Sequence, residues 1–270
     1  MAGYKEKALI LCKTYPSPSS KYVELSCVAA ALESGELIRL FPVPFRLLKD
    51  DAKFAKWQWV EARIEHSKDG RPESHYIKID TIEVRDKIGT ENFWQKRRDI
   101  LSKLPTFASP EELEAKRLKT NHSLGLIKPE KIIDLLIKPC SAEWGKENIE
   151  KLMQAEKQAS FFEEERHIPS NILEKIPFDF YYTYKCSESD RIYKSKIIDW
   201  EAGASYLKFK KLYGDIWIEK FKQKYLYEFQ EKDIYFIMGN HNRFRHQWMI
   251  ISLIYPPNTQ PKPQTMDLFA

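Results

Sequence analysis

Trp57-Gln58-Trp59-Val60-Glu61-Ala62-Arg63-Ile64 decides how the first third of the chain is read. Apolar and polar side chains alternate along it, the period-2 signature of a half-buried strand that runs over 57–66. The pattern resumes in Tyr76, Ile77, Ile79, Ile82 and Val84, a strand over 75–85, after Lys68-Asp69-Gly70-Arg71-Pro72, whose residues favour a turn. Toward the start of the chain, 8–15 is short and apolar, and 22–31 and 36–41 flank the hairpin turn Glu33-Ser34-Gly35. Five strands with no long helix between them predict a small, curled antiparallel barrel, of which the oligonucleotide-binding type is one member.

Beyond the barrel the periodicity changes. Thr90 is expected to cap a helix carrying Phe93, Trp94, Arg97, Ile100 and Leu104 along one stripe and stopping at Pro105. Pro110-Glu111-Glu112 opens another helix, with proline early and acids in the first turn. Lys128-Pro129-Glu130 and Ser141 look like further helix starts, and the charged stretch 147–166 reads as a solvated helix face. Phe178-Asp179-Phe180-Tyr181-Tyr182-Thr183-Tyr184 alternates as a strand that pairs with 192–198. A helix is expected over 200–230, broken near Gly214-Asp215, then strands over 234–238 and 248–255. The reading is therefore α+β: a β-rich barrel-like domain at 1–105, a helical connector at 106–175, a ββαββ-like α+β domain at 176–256, and a proline-rich tail at 257–270.

Composition narrows the function classes. With 43% hydrophobic residues the 270-residue chain has ample material for a core. It contains no run of 18 apolar residues and no signal-peptide pattern at its start, so a cytoplasmic protein with no membrane partner is expected. Cys12, Cys27, Cys140 and Cys186 lie far apart with no C-x-x-C pair, which argues against a zinc finger or a disulfide framework. The net charge of +5 is modest, but the ends are basic and the middle acidic, which favours nucleic-acid contact at the ends.

Two regions combine cations with aromatic rings, the pairing that holds phosphates and stacks bases. One is N-terminal: Lys13, Tyr15, Lys21, Arg39 and Arg46. The other is the loop Asn240-His241-Asn242-Arg243-Phe244-Arg245-His246, dense in bidentate donors with a ring between two arginines. His241-Asn242 with His246 evokes an H-N-H nuclease site, but strand-like sequence follows where that site needs a helix. No Asp followed by Glu-x-Lys stands on a strand, and no phosphate-binding glycine motif occurs among only nine glycines. Cys186 and His167 form a nucleophile pair only if the fold joins them. No metal site and no cofactor are read from the chain.

The remaining signal is Gln264-Thr265-Met266-Asp267-Leu268-Phe269, preceded by Pro256-Pro257-Asn258-Thr259-Gln260-Pro261-Lys262-Pro263, which holds four prolines in eight residues and reads as a stiff spacer. These six positions resemble Q-x-x-D-L-F, the peptide by which bacterial replication and repair proteins dock onto the DNA polymerase sliding clamp. The resemblance implies that Gln264 sets register while Met266, Asp267, Leu268 and Phe269 enter the clamp pocket. The body loosely resembles uncharacterised bacterial proteins. The expectation is a non-enzymatic, DNA-associated accessory or antiviral host-defence protein recruited to the clamp. The alternatives are a metal-dependent nuclease acting on DNA and an RNA-binding module.

Overall fold

The computed structural model describes residues 3–20, 23–151, 173–187, 189–241 and 243–258. The first sheet comprises β1 (Tyr4–Lys13), β2 (Ser17–Ser19), β3 (Val23–Leu32), β4 (Leu37–Val43), β5 (Gln58–His66), β6 (Ser74–Ile77) and β7 (Glu83–Lys87). The strands follow the order β1-β3-β4-β6-β5, and β5 pairs back onto β1, so five strands close on themselves. Only β4 and β6 run parallel; the other pairings round the ring are antiparallel. That order and that single parallel pair make it a five-stranded Greek-key barrel of the oligonucleotide-binding type.

The alternation in β5 does what its sequence predicts. Val60, Ala62 and Ile64 point into the barrel beside Ala8, Ile10, Val28, Ile38 and Leu40, while Glu61 and Arg63 face outward. Trp57 lies just before the strand at φ 64° and is buried under Arg97, whose guanidinium is 4.9 Å from its ring and 4.5 Å from that of Trp94. Arg97 belongs to α1 (Glu91–Leu101). Contrary to expectation the Thr90 side chain makes no cap bond, Asn92, Phe93 and Trp94 have positive φ, and Phe93 faces solvent instead of joining the stripe.

The second sheet is built from β8 (Thr106–Phe107), β9 (Leu124–Ile127), β10 (Lys131–Pro139), β11 (Phe178–Cys186), β12 (Ser189–Ile197), β13 (Tyr235–Asn240) and β14 (Trp248–Ile254), in the order β10-β11-β12-β14-β13-β9-β8. Over the described part of 106–175 the expected helical connector is therefore wrong. That span supplies three strands of this sheet, with only α2 (Pro110–Thr120) and a helical stretch at 146–151 between and after them. Lys128-Pro129-Glu130 leads into β10 rather than a helix, because Ile132, Leu135 and Ile137 find cross-strand partners on β11. The start of α2 is as expected: Ser109 accepts the Glu112 amide, with Pro110 in the first turn.

Between β12 and β13 run α3 (Trp200–Tyr213), a turn at Gly214–Ile216, α4 (Trp217–Lys222) and a π-helical stretch Gln223–Glu228. Gly214 takes φ 54° at the expected break. These helices lay Tyr206, Trp217, Phe221 and Tyr225 onto Phe180, Tyr182 and Tyr184, the inward residues of β11. The other face of the sheet is divided. At β9, β13 and β14 it packs Leu124, Leu126, Ile237, Ile251 and Ile254 against Leu9, Leu11, Ala29, Ala31 and Leu37 on the outside of the barrel. The two sheets thus share an apolar core, and the barrel surface at β3 and β4 is buried by the chain's own second unit. At β10, β11 and β12 no described element packs on the same face, and Tyr181, Lys194 and Ile192 are turned toward it.

Candidate nucleic-acid interface

The β13–β14 loop is held in shape by its own backbone. His241 N–H donates to Gln247 O (3.1 Å) and Gln247 N–H to Phe244 O (2.8 Å). The imidazole Nδ1 of His241 accepts the amides of Arg243 and Phe244, each at 3.2 Å, and Asn240 Nδ2 donates to Arg245 O (2.9 Å). The Phe244 ring then lies on the His241 ring, centroids 5.3 Å apart and 29° from parallel, with about half its surface exposed.

Arg245 ties this loop to both units. Its guanidinium donates to Asn121 Oδ1 (2.8 Å) and to Asp69 O (3.0 Å). Asn121 closes α2 at φ 60°, and its amide bonds Gly70 O in the barrel's β5–β6 turn. In that turn the Asp69 carboxylate is gripped by Arg71 through Nε (2.8 Å), Nη2 and the backbone amide (3.0 Å), which holds its carboxyl below the usual range against the effect of burial. The result is one edge made of three fixed turns, with Lys68, Arg243, Phe244 and His246 exposed along it. Exposed cations flanking an exposed ring on fixed backbone suit phosphate contact and base stacking.

Of the expected loop residues, then, Arg243, Phe244 and His246 face solvent and His241 supports the ring. Asn240 is buried and Arg245 is spent on joining the units, so both are structural; Asn242 lies outside the described residues.

The described residues of the N-terminal set do not form a cationic surface. Arg39 is buried, 3.7 Å from the Glu73 carboxylate, and donates to Ser123 O (3.0 Å) and to the Ser123 hydroxyl. It joins barrel to second sheet and is withdrawn as a phosphate contact. Arg46 covers the buried Glu24 at 3.1 Å. Tyr15 packs on Trp200 and on Gly203, whose missing side chain makes room for the ring, and donates its hydroxyl to Glu174 O (2.8 Å). Burial pushes that hydroxyl up to about 12. The Lys13 ammonium sits 3.3 Å from the Phe45 ring centroid, with Trp200 and Phe54 beyond, and donates to Phe54 O (3.1 Å). Burial lowers it to about 8, opposed by nearby Glu201. Lys21 lies outside the described residues.

Sequence reading missed the cleft that Lys13 enters. It measures about 220 Å³ and lies between barrel and α3, lined by Lys13, Lys56, Asp199, Trp200 and Glu201 over Ile10 and Cys12. Asp199 caps α3 through the Glu201 amide (2.6 Å) and also accepts the Leu253 amide (3.0 Å). Lys56 donates to Leu253 O (2.8 Å) and to Glu201 (3.2 Å), with Asp199 at 4.0 Å. Burial raises the Asp199 carboxyl, offset only in part by Lys56, and this cluster ties three elements together. Its one local signal was an Asp immediately before a helical run.

Among the described residues, the parts that the nuclease and thiol alternatives need are not assembled. Among the described residues no three His, Cys, Asp or Glu side chains are grouped as a metal site requires. The Cys186 thiol is buried and pushed up to about 11, away from the thiolate a nucleophile needs, and His167 lies outside the described residues. Among the described residues no helix is long and apolar enough to cross a membrane.

Residues 4–103 match the model of a domain of unknown function, DUF8758, and residues 106–270 match that of a second domain of unknown function, DUF8757. The two matches meet between α1 and the second sheet. No match is found among curated proteins. Among solved structures, a replication protein A heterotrimer bound to single-stranded DNA is similar at a TM-score of 0.27 and 9% identity, covering 96% of this chain and 67% of that one, too distant a likeness to carry an argument. The DUF8757 match spans more than half of the chain, which therefore belongs to that family.

Proposed function

We propose that the protein is a nucleic-acid-associated accessory factor brought to DNA by the bacterial sliding clamp through Gln264–Phe269. The observation that carries this reading is the Q-x-x-D-L-F sequence behind a proline-rich stretch. Those six residues lie outside the described part, but the last described stretch before them is fixed to the body. Asp233 N–H donates to Pro256 O (3.0 Å), Arg98 Nη2 to Pro257 O (2.5 Å), and Lys232 bridges to Pro257. Pro256 and Pro257 thus belong to the body. Nucleic-acid contact through the Lys68, Arg243, Phe244 and His246 edge supplies the second half of the proposal.

Leu268 and Phe269 each contribute roughly 1.5–3 kcal/mol on entering an apolar pocket, and ordering the peptide offsets part of that. A dissociation constant near 1 μM, about 8 kcal/mol, follows for the peptide contact alone. The test is binding of full-length protein to purified clamp. Leu268→Ala with Phe269→Ala should abolish it and leave the melting temperature unchanged. Retained binding, or a lowered melting temperature, would show that the two side chains serve the protein's own core.

A further inference from the structure

The half of the second sheet at β10, β11 and β12 has a charge arrangement that neither folding nor edge protection explains. On β10, β11 and β12 the inward residues Leu135, Phe180, Tyr182, Tyr184, Tyr193 and Ile197 are buried. Among the described residues the alternate positions form a face that is partly exposed at Tyr181, Thr183 and Lys185 and exposed at Lys131, Lys138 and Lys194, and its register brings like charges together. Lys131 stands directly opposite Lys185. Lys138 and Lys194, from the two strands flanking β11, converge over the same residue, their Nζ atoms 5.9 Å and 4.8 Å from the centre of the Tyr181 ring. Neither ammonium has a carboxylate within ion-pair distance among the described residues, and the neighbourhood of Lys138 is what lowers the Lys194 ammonium. The two nearby acids have partners: Asp179 is held by Lys196 at 2.6 Å and accepts the Tyr181 hydroxyl at 3.3 Å, and Asp134, opposite Thr183 between the two lysine pairs, is 3.4 Å from the Lys222 ammonium.

Like charges facing across strands destabilise a sheet. Lysines on an edge strand are expected as protection against strand pairing, which accounts for Lys131 and Lys138 on β10. It does not account for Lys185, which stands on the interior strand β11; Lys194 stands on β12 two residues before that strand's pairing with β14 begins. An anion seated between the paired ammoniums turns each repulsion into attraction. Lys185 lies four residues from Tyr181 along β11, about 13 Å at strand spacing, so the two basic pairs mark out an extended track with a ring at one end. Exposed Ile192 adds apolar surface to the same face.

We infer that this face binds single-stranded nucleic acid, with Tyr181 stacking a base while Lys138 with Lys194, and Lys131 with Lys185, take successive stretches of backbone phosphate. The inference rests on the proposed association with nucleic acid and assigns it a substrate class and a second surface, on a different part of the molecule from the Arg243 and Phe244 edge. A flat sheet face with a single ring accommodates splayed bases, whereas a duplex hides its base faces from the ring.

The test uses the full chain and a fluorescent oligothymidylate of about 12 nucleotides, with a duplex of equal length for comparison. Tyr181→Ala should weaken single-strand binding on the order of tenfold and Tyr181→Phe should not, since stacking needs the ring and not the hydroxyl. Lys138→Gln with Lys194→Gln should reduce the slope of log affinity against log salt by about 1.4, the release expected for two phosphate contacts on a single strand. Unchanged melting temperatures verify folding. If all these variants bind the oligonucleotide within twofold of wild type while Arg243→Ala weakens it, the sheet face is excluded and the association itself stands. If the sheet variants lose duplex and single strand equally, the single-strand assignment is overturned. If wild type binds neither form, both the inference and the association fail.

Discussion

Replacing Arg39 by Met should cost the folded protein about 3–5 kcal/mol, the usual loss when one partner of a buried ion pair is removed. Both side chains of the pair are only 4% exposed. Glu73 Oε1 accepts the Ser123 amide at 2.7 Å and the Ser123 hydroxyl, while Arg39 Nη2 donates to Ser123 O at 3.0 Å and Nη1 lies 3.7 Å from the carboxylate. Without the guanidinium, a carboxylate stays buried with hydrogen bonds but no cation, and the Ser123 carbonyl loses a donor. Glu73→Gln should be damaging for the converse reason. The double variant Arg39→Met, Glu73→Gln should lose less than the two singles summed, because no unpaired charge remains. Urea unfolding followed by tryptophan fluorescence reads this directly. Since Ser123 enters β9 while Arg39 and Glu73 belong to the barrel, and an apolar core joins the same surfaces, unfolding should be a single transition. A loss under about 1 kcal/mol for either single variant, strict additivity in the double, or two separate transitions would refute this account of the junction.

Three further predictions concern other contacts. Gly203→Ala would place a Cβ 2.5 Å from the Tyr15 ring and 2.8 Å from Ile176, so thermal denaturation should report a loss of about 1–3 kcal/mol; an unchanged melting temperature would mean that Tyr15 is not packed there. Lys13 titrates near 8 in the folded protein against an ordinary 10.5, so between those values the unfolded chain binds more protons and stability gains with pH. The cost of burying the charged amine is fully present below pH 8, and Lys13→Met should show a smaller rise in urea midpoint from pH 8 to 10 than wild type; equal rises would contradict the assignment. Arg245→Ala should lower stability by about 1–3 kcal/mol through its lost hydrogen bonds, whereas Arg243→Ala should leave stability intact and reduce the salt slope of duplex DNA binding by about one.

The parts of the fold legible in the sequence were those whose side chains alternate. In β5, Val60, Ala62 and Ile64 point inward and Glu61 and Arg63 outward, and β11 sets Phe180, Tyr182 and Tyr184 against the helices, so the pattern reported the buried face. β9 was illegible for the opposite reason: all four residues of Leu124–Ile127 are buried, and a strand covered on both faces shows no alternation. In β10 the run Ile132-Ile133 followed by Leu135-Leu136-Ile137 is interrupted by a bulge, which breaks the period. The candidate sites were legible by composition only. Arg39 and Arg243 look alike in sequence, yet one is buried on Glu73, 34 positions away, and the other is exposed. Lys138, Tyr181 and Lys194 come from three strands, and only the register of the sheet brings them together.

The most direct test of the central proposal compares binding to clamp alone, to DNA alone, and to clamp loaded on DNA bearing a single-stranded stretch. A peptide tether holds the body at high local concentration beside nucleic acid, so the loaded clamp should bind the protein about 100-fold more tightly than either component. Leu268→Ala with Phe269→Ala should reduce that affinity to the level of DNA alone. If loaded clamp binds no more tightly than free clamp, or if the double variant keeps the enhancement, the protein is not a clamp-tethered, nucleic-acid-associated factor.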